Sequence, residues 1–172
     1  MLCWLKLRRL TSQGAPPPPV VDACVIENSI VTLLVIKVDR QKRDFDSEAR
    51  LISDAIAAFH SDNVARVDYL NTDPITSKVM LGIVTDGSMP TFYKIPITAE
   101  LVRAVKAGEQ PEQETVVHAY VLEVPRPEEG MKPLDNRYII LSCFEAFRIF
   151  FLISCSTLRY RRKAIILYRD CY

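Results

Sequence analysis

The chain has 172 residues, of which 49% are hydrophobic and 25% are charged, a composition typical of one globular domain. Its 22 Lys and Arg residues balance 21 Asp and Glu residues, so a net charge of +1 excludes the strongly basic composition of many nucleic-acid-binding domains. Only 5 glycines occur, which argues against a glycine-rich phosphate-binding fold.

The five cysteines are odd in number and form no CxxC pair. This pattern predicts reduced thiols in an intracellular protein, cytoplasmic or nuclear. His60 and His118 stand far apart, with no Cys or carboxylate at ligand spacing, so we expect no zinc site.

The first strands follow an N-terminal leader. Residues 1–19 predict a disordered leader that ends in the polyproline run Pro16–Pro19, and no secretory signal is expected because basic residues interrupt its apolar runs. Val20–Glu27 and Ile30–Val38 are rich in β-branched residues and flank the turn signal Asn28-Ser29. They predict two antiparallel strands, the second buried on both faces.

The clearest helical pattern follows a charged loop. Ser47 caps a helix predicted over Ser47–His60, and Leu51, Ala55 and Phe59 fall on its buried face.

The next elements form a second hairpin and its continuation. A turn at Asp86-Gly87 joins strands predicted over Ser77–Thr85 and Thr91–Ile95, and Pro96 is expected to end the return strand. A short helix over Ala99–Ala107, a strand over Thr115–Val124 and a linker over 125–133 complete the series.

The most apolar stretch, Tyr138–Ser154, overlaps a C-terminal helix predicted over about 134–152. Ser142, Glu145 and Arg148 form one narrow polar stripe on it, so we expect a largely buried helix of a soluble domain and no membrane span. Residues 153–172 predict a basic tail, either an arm that binds the phosphates of a nucleic acid or sequence that does not belong to the native protein.

The element order predicts an α/β (mixed α+β) fold with a single mixed sheet and helices packed on it. The expected domain is 20–152, with a core over 20–124.

Three segments together resemble a known superfamily. Asp22 opens the first strand, Lys37-Val38-Asp39 ends the second, and a helix and the hairpin around Asp86-Gly87 follow. Over about residues 20–97 this resembles the core of the PD-(D/E)xK nucleases, closest to restriction-endonuclease-like domains. The stretches Phe45–Phe59 and Phe92–Pro96 also look like uncharacterised fungal proteins of the Crinkler-associated type.

The resemblance implies a chemistry in which carboxylates from two strands bind Mg²⁺ and a Lys orients the attacking water. It makes Asp22, Lys37 and Asp39 the candidate catalytic residues, with Asp22 and Asp39 as candidate metal ligands. Lys37-x-Asp39 stands where the superfamily has Glu-x-Lys, so the charges are exchanged. We therefore expect Mg²⁺ to bind weakly or not at all.

Three functions stay open at this stage. The first is a degenerate, inactive nuclease-like domain that acts as a nucleic-acid or protein interaction module and holds no cofactor. The second is an active Mg²⁺-dependent nuclease that uses Asp22 and Asp39. The third is a plain α/β interaction domain with no nucleic-acid role.

Overall fold

The computed structural model describes residues 23–27, 30–37, 47–156 and 165–168. Within these ranges six strands form one sheet, and three α-helices and a short 3-10 turn at Pro127–Glu129 surround it. The strands are β1 (Ala23–Glu27), β2 (Ile30–Lys37), β3 (Ser77–Asp86), β4 (Met89–Thr98), β5 (His118–Val121) and β6 (Ile165–Tyr168). The helices are α1 (Ser47–Asp68), α2 (Ala99–Ala107) and α3 (Leu134–Ser156).

The sheet is mixed, with the strand order β5-β4-β3-β2-β1-β6. Strands β2 and β3 are parallel because α1 carries the chain back between them, and the other neighbouring strands are antiparallel. This confirms the predicted mixed α+β class with a single sheet, and β1 and β2 form the predicted antiparallel pair.

Helices cover both faces of the sheet. On one face α1 packs through Leu51, Ala55 and Phe59, as predicted, against buried residues of β2, β3 and β4, and Val102 of α2 joins the same cluster. On the other face Ile140 and Phe147 of α3 pack on a second cluster, which contains Leu81, Ile83, Phe92 and Leu122. The two clusters alternate along β3 and β4 because successive strand side chains point to opposite faces.

A β-bulge interrupts the β1–β2 pairing. Val25 pairs with Leu33 and Ile26 pairs with Val31, so Thr32 is an extra residue on β2. The Thr32 hydroxyl donates a 3.0 Å hydrogen bond to the Val25 carbonyl. The bulge brings Val31 into the same core cluster as Leu34, although strict alternation would place them on opposite faces.

Helix α1 is longer than predicted and continues past His60 to Asp68. The polar sequence after His60 is held by specific contacts rather than by an apolar stripe. Asn63 accepts a 2.9 Å hydrogen bond from the Ile75 N–H and donates a 3.0 Å bond to the Ile75 carbonyl. Asp62 is buried against the sheet and anchors the same turn.

Two strand ends also differ from the predictions. Pro96 does not end β4, which continues to Thr98 beside β3. Strand β5 pairs only with Thr91–Lys94, so β4 is an edge on that side at Pro96, where proline is tolerated. Strand β5 itself is shorter than Thr115–Val124, and its four residues are exposed because it is the outermost strand.

Both ends of α2 are capped. The Thr98 side chain accepts a hydrogen bond from the Leu101 N–H, and Gly108 adopts a φ of 69° just past the helix. Strand β6 lies within the stretch 153–172, where the sequence predicts no element, and it pairs with β1.

Candidate functional site

One end of the sheet carries the residues that the nuclease resemblance singles out. Ala23 pairs with Val35 and Lys37 pairs with Thr85, so the start of β1 and the ends of β2 and β3 lie together. Lys37 closes β2. Asp22 and Asp39 lie outside the described residues, as does the side chain of Lys37. The convergence of these three side chains therefore remains a prediction.

Asp86 adds a carboxylate at the same end of the sheet, although the sequence predicts it only as a turn residue. It ends β3, directly after Thr85, and its side chain is exposed. The Thr85 hydroxyl lies 3.5 Å from the Ile36 carbonyl on β2. A prediction from the sequence that β2 and β3 are parallel neighbours would have identified Asp86, because the carboxyl ends of parallel strands lie at the same edge of a sheet.

The described residues contain no group of three or more His, Cys, Asp or Glu side chains placed to hold a metal ion. At the adjoining ends of β1, β2 and β3 the described residues include one acid, Asp86, whereas a Mg²⁺ site for phosphate chemistry draws on several oxygen ligands.

A buried ion pair lies at the opposite end of the sheet. The Lys78 ammonium is 2.7 Å from an Asp62 carboxylate oxygen and donates to the Val31 carbonyl at 2.6 Å. The Val31 N–H donates to the other Asp62 oxygen at 2.9 Å. Burial raises the pKa of Asp62, which is 1% exposed, although Lys78 and the Val31 N–H favour the carboxylate and oppose that rise. These contacts pair both backbone groups of Val31, so we assign the ion pair an architectural role.

A second polar contact joins the two helices on the α1 side. The Lys106 ammonium of α2 lies 2.8 Å from His60 Nε2. Burial, and next the charge of Lys106, lower the pKa of His60. The lowered pKa favours the neutral imidazole, which accepts from the ammonium, and this contact ties α1 to α2.

Helix α3 departs furthest from its prediction. It is not largely buried: its inner face packs through Asn136, Ile140 and Phe147, but its outer face is exposed and rich in apolar side chains. Leu134 is 78% exposed, Tyr138 77%, Leu141 52% and Ile149 54%. We refer to these four residues as the α3 outer face. Within residues 134–150, apolar side chains therefore lie on both sides of the helix, and those on the inner side contact the sheet.

Charged residues share this outer face. Arg148 donates two hydrogen bonds to the Glu145 carboxylate one turn earlier, and these bonds hold the pKa of Glu145 below its usual value. Both side chains remain more than half exposed. Ser142 donates to the Tyr138 carbonyl of its own helix at 2.8 Å. The predicted polar stripe is therefore confirmed, and it runs between exposed apolar side chains.

Comparison with protein-family models, with curated proteins and with solved structures finds no match. Among the described helices, none has the length and apolar character needed to cross a membrane, α3 included.

Proposed function

We propose that this chain is a non-catalytic interaction domain that binds another protein chain through the α3 outer face. The observation that carries this proposal is the exposure of Leu134, Tyr138, Leu141 and Ile149 on one side of one helix. A helix that covers a sheet ordinarily presents charged and polar residues to water. A contiguous exposed apolar patch with a polar component is characteristic of a surface that binds a partner.

The fold does not need these side chains. The inner face of α3 already fills its place on the sheet, where Phe144 and Phe147 both contact the ring of Phe92, with centroid separations of 5.1 Å and 4.8 Å. The outer face adds nothing to this packing and leaves large apolar groups in water. A role in binding a partner explains why these apolar side chains are exposed.

Stability measurements separate a docking face from a core face. We expect the double substitution Tyr138→Ser and Leu141→Ser to change the free energy of unfolding by less than about 1 kcal/mol, because Tyr138 is 77% exposed and Leu141 is 52% exposed. Ile140→Ala, on the inner face of the same helix, should lower it by about 2–5 kcal/mol. Urea unfolding followed by circular dichroism measures both.

Binding of a fluorescent apolar dye reports the same face directly. The folded wild type should bind the dye, and the double variant should lose most of that signal, whereas Val67→Ser on the half-exposed side of α1 should keep it. If the double variant loses as much stability as Ile140→Ala, the α3 outer face belongs to the core and the proposal is wrong.

A second candidate function follows from the sheet end formed by β1, β2 and β3. A degenerate nuclease-like domain that binds nucleic acid is supported by the position of Lys37 at that end, beside Thr85, with Asp86 next along β3. The exchanged Lys37-x-Asp39 order in the sequence puts a positive charge where the superfamily has a metal-binding carboxylate. That positive charge favours the binding of a phosphate over the binding of a divalent cation.

Metal titration tests this candidate. Mg²⁺ or Mn²⁺ should leave the melting temperature of the wild type unchanged, since only a bound ion stabilises the folded state by mass action. The double variant Lys37→Glu with Asp39→Lys should gain measurable Mg²⁺ binding by calorimetry. A rise in wild-type melting temperature that Asp22→Ala abolishes would instead support the active nuclease. Absence of salt-dependent DNA binding would leave the plain interaction domain.

A further inference from the structure

Strand β5 is an open edge of the described sheet. It pairs with Thr91–Lys94 of β4 on one side, and no described strand lies on its other side. In an antiparallel pair the backbone groups of alternate residues point away from the neighbouring strand. The outer side of β5 therefore presents N–H and C=O groups with which another extended chain can pair.

Large apolar side chains along this edge are exposed. Val116 is 61% exposed, Tyr120 60% and Val121 67%. Tyr120 pairs with Phe92 and lies on the α3 face of the sheet, so Val121, the next residue, lies on the opposite face. A strand added beyond β5 would place alternate side chains beside Tyr120 on one face and beside Val121 on the other. Its central residues should therefore be apolar or β-branched.

The chain on both sides of these apolar residues is acidic. Between Lys106 and Arg126 the sequence contains four glutamates and no Lys or Arg. Three of them, Glu112, Glu114 and Glu123, are exposed, and none of the three forms an ion pair with another described residue. Two such edges would repel each other, so the charge disfavours a second copy of this chain and favours a basic partner.

Lys94 is the lysine of β4 that pairs with β5. Its cross-strand neighbour is His118, and its ammonium lies 3.3 Å from the centroid of the Phe150 ring on α3. This cation–π contact holds the positive charge on the α3 side of the sheet. The outer edge of β5 therefore keeps the acidic character of the residues that flank it.

We propose that the β5 edge binds an extended, basic segment of another protein, which adds to the sheet as a further strand. Backbone hydrogen bonds hold the segment, and its apolar side chains pack beside Tyr120 and Val121. Lys or Arg residues at both ends of the segment lie near Glu114 and Glu123. This edge is separate from the α3 outer face, so the inference goes beyond the proposed function and does not depend on it.

A labelled peptide tests this binding with the full-length chain. The core of the peptide alternates Val and Thr, lysines stand at both its ends, and fluorescence anisotropy measures its dissociation constant. It should bind about tenfold more tightly than the same core with glutamates at both ends, and added salt should weaken it. Absence of binding at the highest soluble concentration of the lysine peptide would overturn the proposal.

Methylation of the peptide's backbone nitrogens separates strand addition from charge attraction alone. A strand at the edge bonds β5 through alternate N–H groups only. The lysine peptide methylated at one alternate set should therefore lose about tenfold in affinity, whereas methylation of the other set should leave binding intact. Hydrogen exchange at the amides of His118–Val121 should also slow in the complex. Equal binding by both methylated peptides, or unchanged exchange in β5, would show that no strand is added.

Charge exchange on the protein tests the acidic flanks. Glu114→Lys with Glu123→Lys should weaken the lysine peptide by about tenfold and strengthen the glutamate peptide. The matched control, Asp68→Lys with Asp73→Lys, makes the same change at two exposed acids at the end of α1 and in the loop after it, and should keep the wild-type preference. Circular dichroism confirms folding, and the peptide comparisons decide if a variant does not fold. A folded Glu114 and Glu123 variant that binds the lysine peptide as tightly as wild type would reject a basic partner.

Discussion

Gly82 is the point at which helix α1 comes closest to the sheet. A Cβ atom built on Gly82 would lie 2.7 Å from Leu51 Cδ2 and 2.9 Å from Leu51 Cδ1, distances that real side chains do not show. Leu51 is fully buried, so it has little room to move away. The missing side chain on β3 is therefore what allows Leu51 to fill the space between helix and sheet.

We expect Gly82→Ala to lower the free energy of unfolding by about 1–3 kcal/mol through overpacking. Leu51→Ala should cost about 2–5 kcal/mol through the void that it leaves. In the double variant the new methyl group enters that void, so the combined loss should be smaller than the sum of the two. Urea unfolding of the three variants measures the coupling, and strictly additive losses would contradict the close approach of helix and strand.

Asn136 shows how one buried amide orders a segment that the sequence predicts as a linker. It donates to the Arg126 carbonyl at 2.6 Å and to the Gly130 carbonyl at 2.8 Å, and it accepts from the Arg126 N–H at 3.3 Å. The Ser88 hydroxyl accepts from the Met131 N–H at 2.8 Å and ties the same segment to the β3–β4 turn. The proline-rich composition of 125–133 carries no sign of these contacts.

Among the elements, the bulged strand β2 depends on the Asp62–Lys78 pair. The β2–β3 pairing begins at Leu33, and the N–H and the carbonyl of Val31, two residues earlier, are bonded by the side chains of Asp62 and Lys78. Removal of one partner of a buried ion pair is costly because the other is left charged and uncompensated.

Lys78→Met should therefore lower the free energy of unfolding by about 3–5 kcal/mol at pH 7. The loss should shrink as the pH falls, because the folded-state pKa of Asp62, already raised by burial, rises further without the ammonium. A group whose pKa is higher in the folded than in the unfolded state takes up protons on folding, so stability decreases as the pH rises above the unfolded value.

Chemical unfolding of wild type and Lys78→Met between pH 4 and pH 7 measures this difference, with Lys132→Met at an exposed position as the matched control. The variant should recover toward wild type at the acidic end of the range. A loss that stays constant with pH would show that Asp62 does not carry the charge that Lys78 compensates.

For the molecule as a whole, the mixed sheet and its helices were predictable because they rest on local patterns. The β-branched runs predict β1 and β2, and the capped apolar stripe after Ser47 predicts α1. The turn at Asp86-Gly87 predicts the β3–β4 hairpin. The extension of α1 to Asp68 was not predictable, since Asp62 and Asn63 bind partners that are distant in the sequence, at Val31, Ile75 and Lys78.

The residues of the candidate sites were also predictable only in part. The sequence predicts Lys37 at a strand end and Asp86 in a hairpin turn. What it cannot indicate is which half of an apolar helix meets the sheet. Tyr138 and Ile140 are both large and apolar, yet one is 77% exposed and the other fully buried.

The sequence by itself determined the class of the fold, the order of the elements from β1 to α3 and the charge balance of the chain, because hydrophobic period, capping and turn chemistry act over a few residues. The tertiary structure decided that β2 and β3 are parallel neighbours and that α3 keeps an apolar face in water. Both features depend on contacts between segments that are distant in the sequence. Strands β2 and β4 contact one side of α3, and its other side is exposed to water.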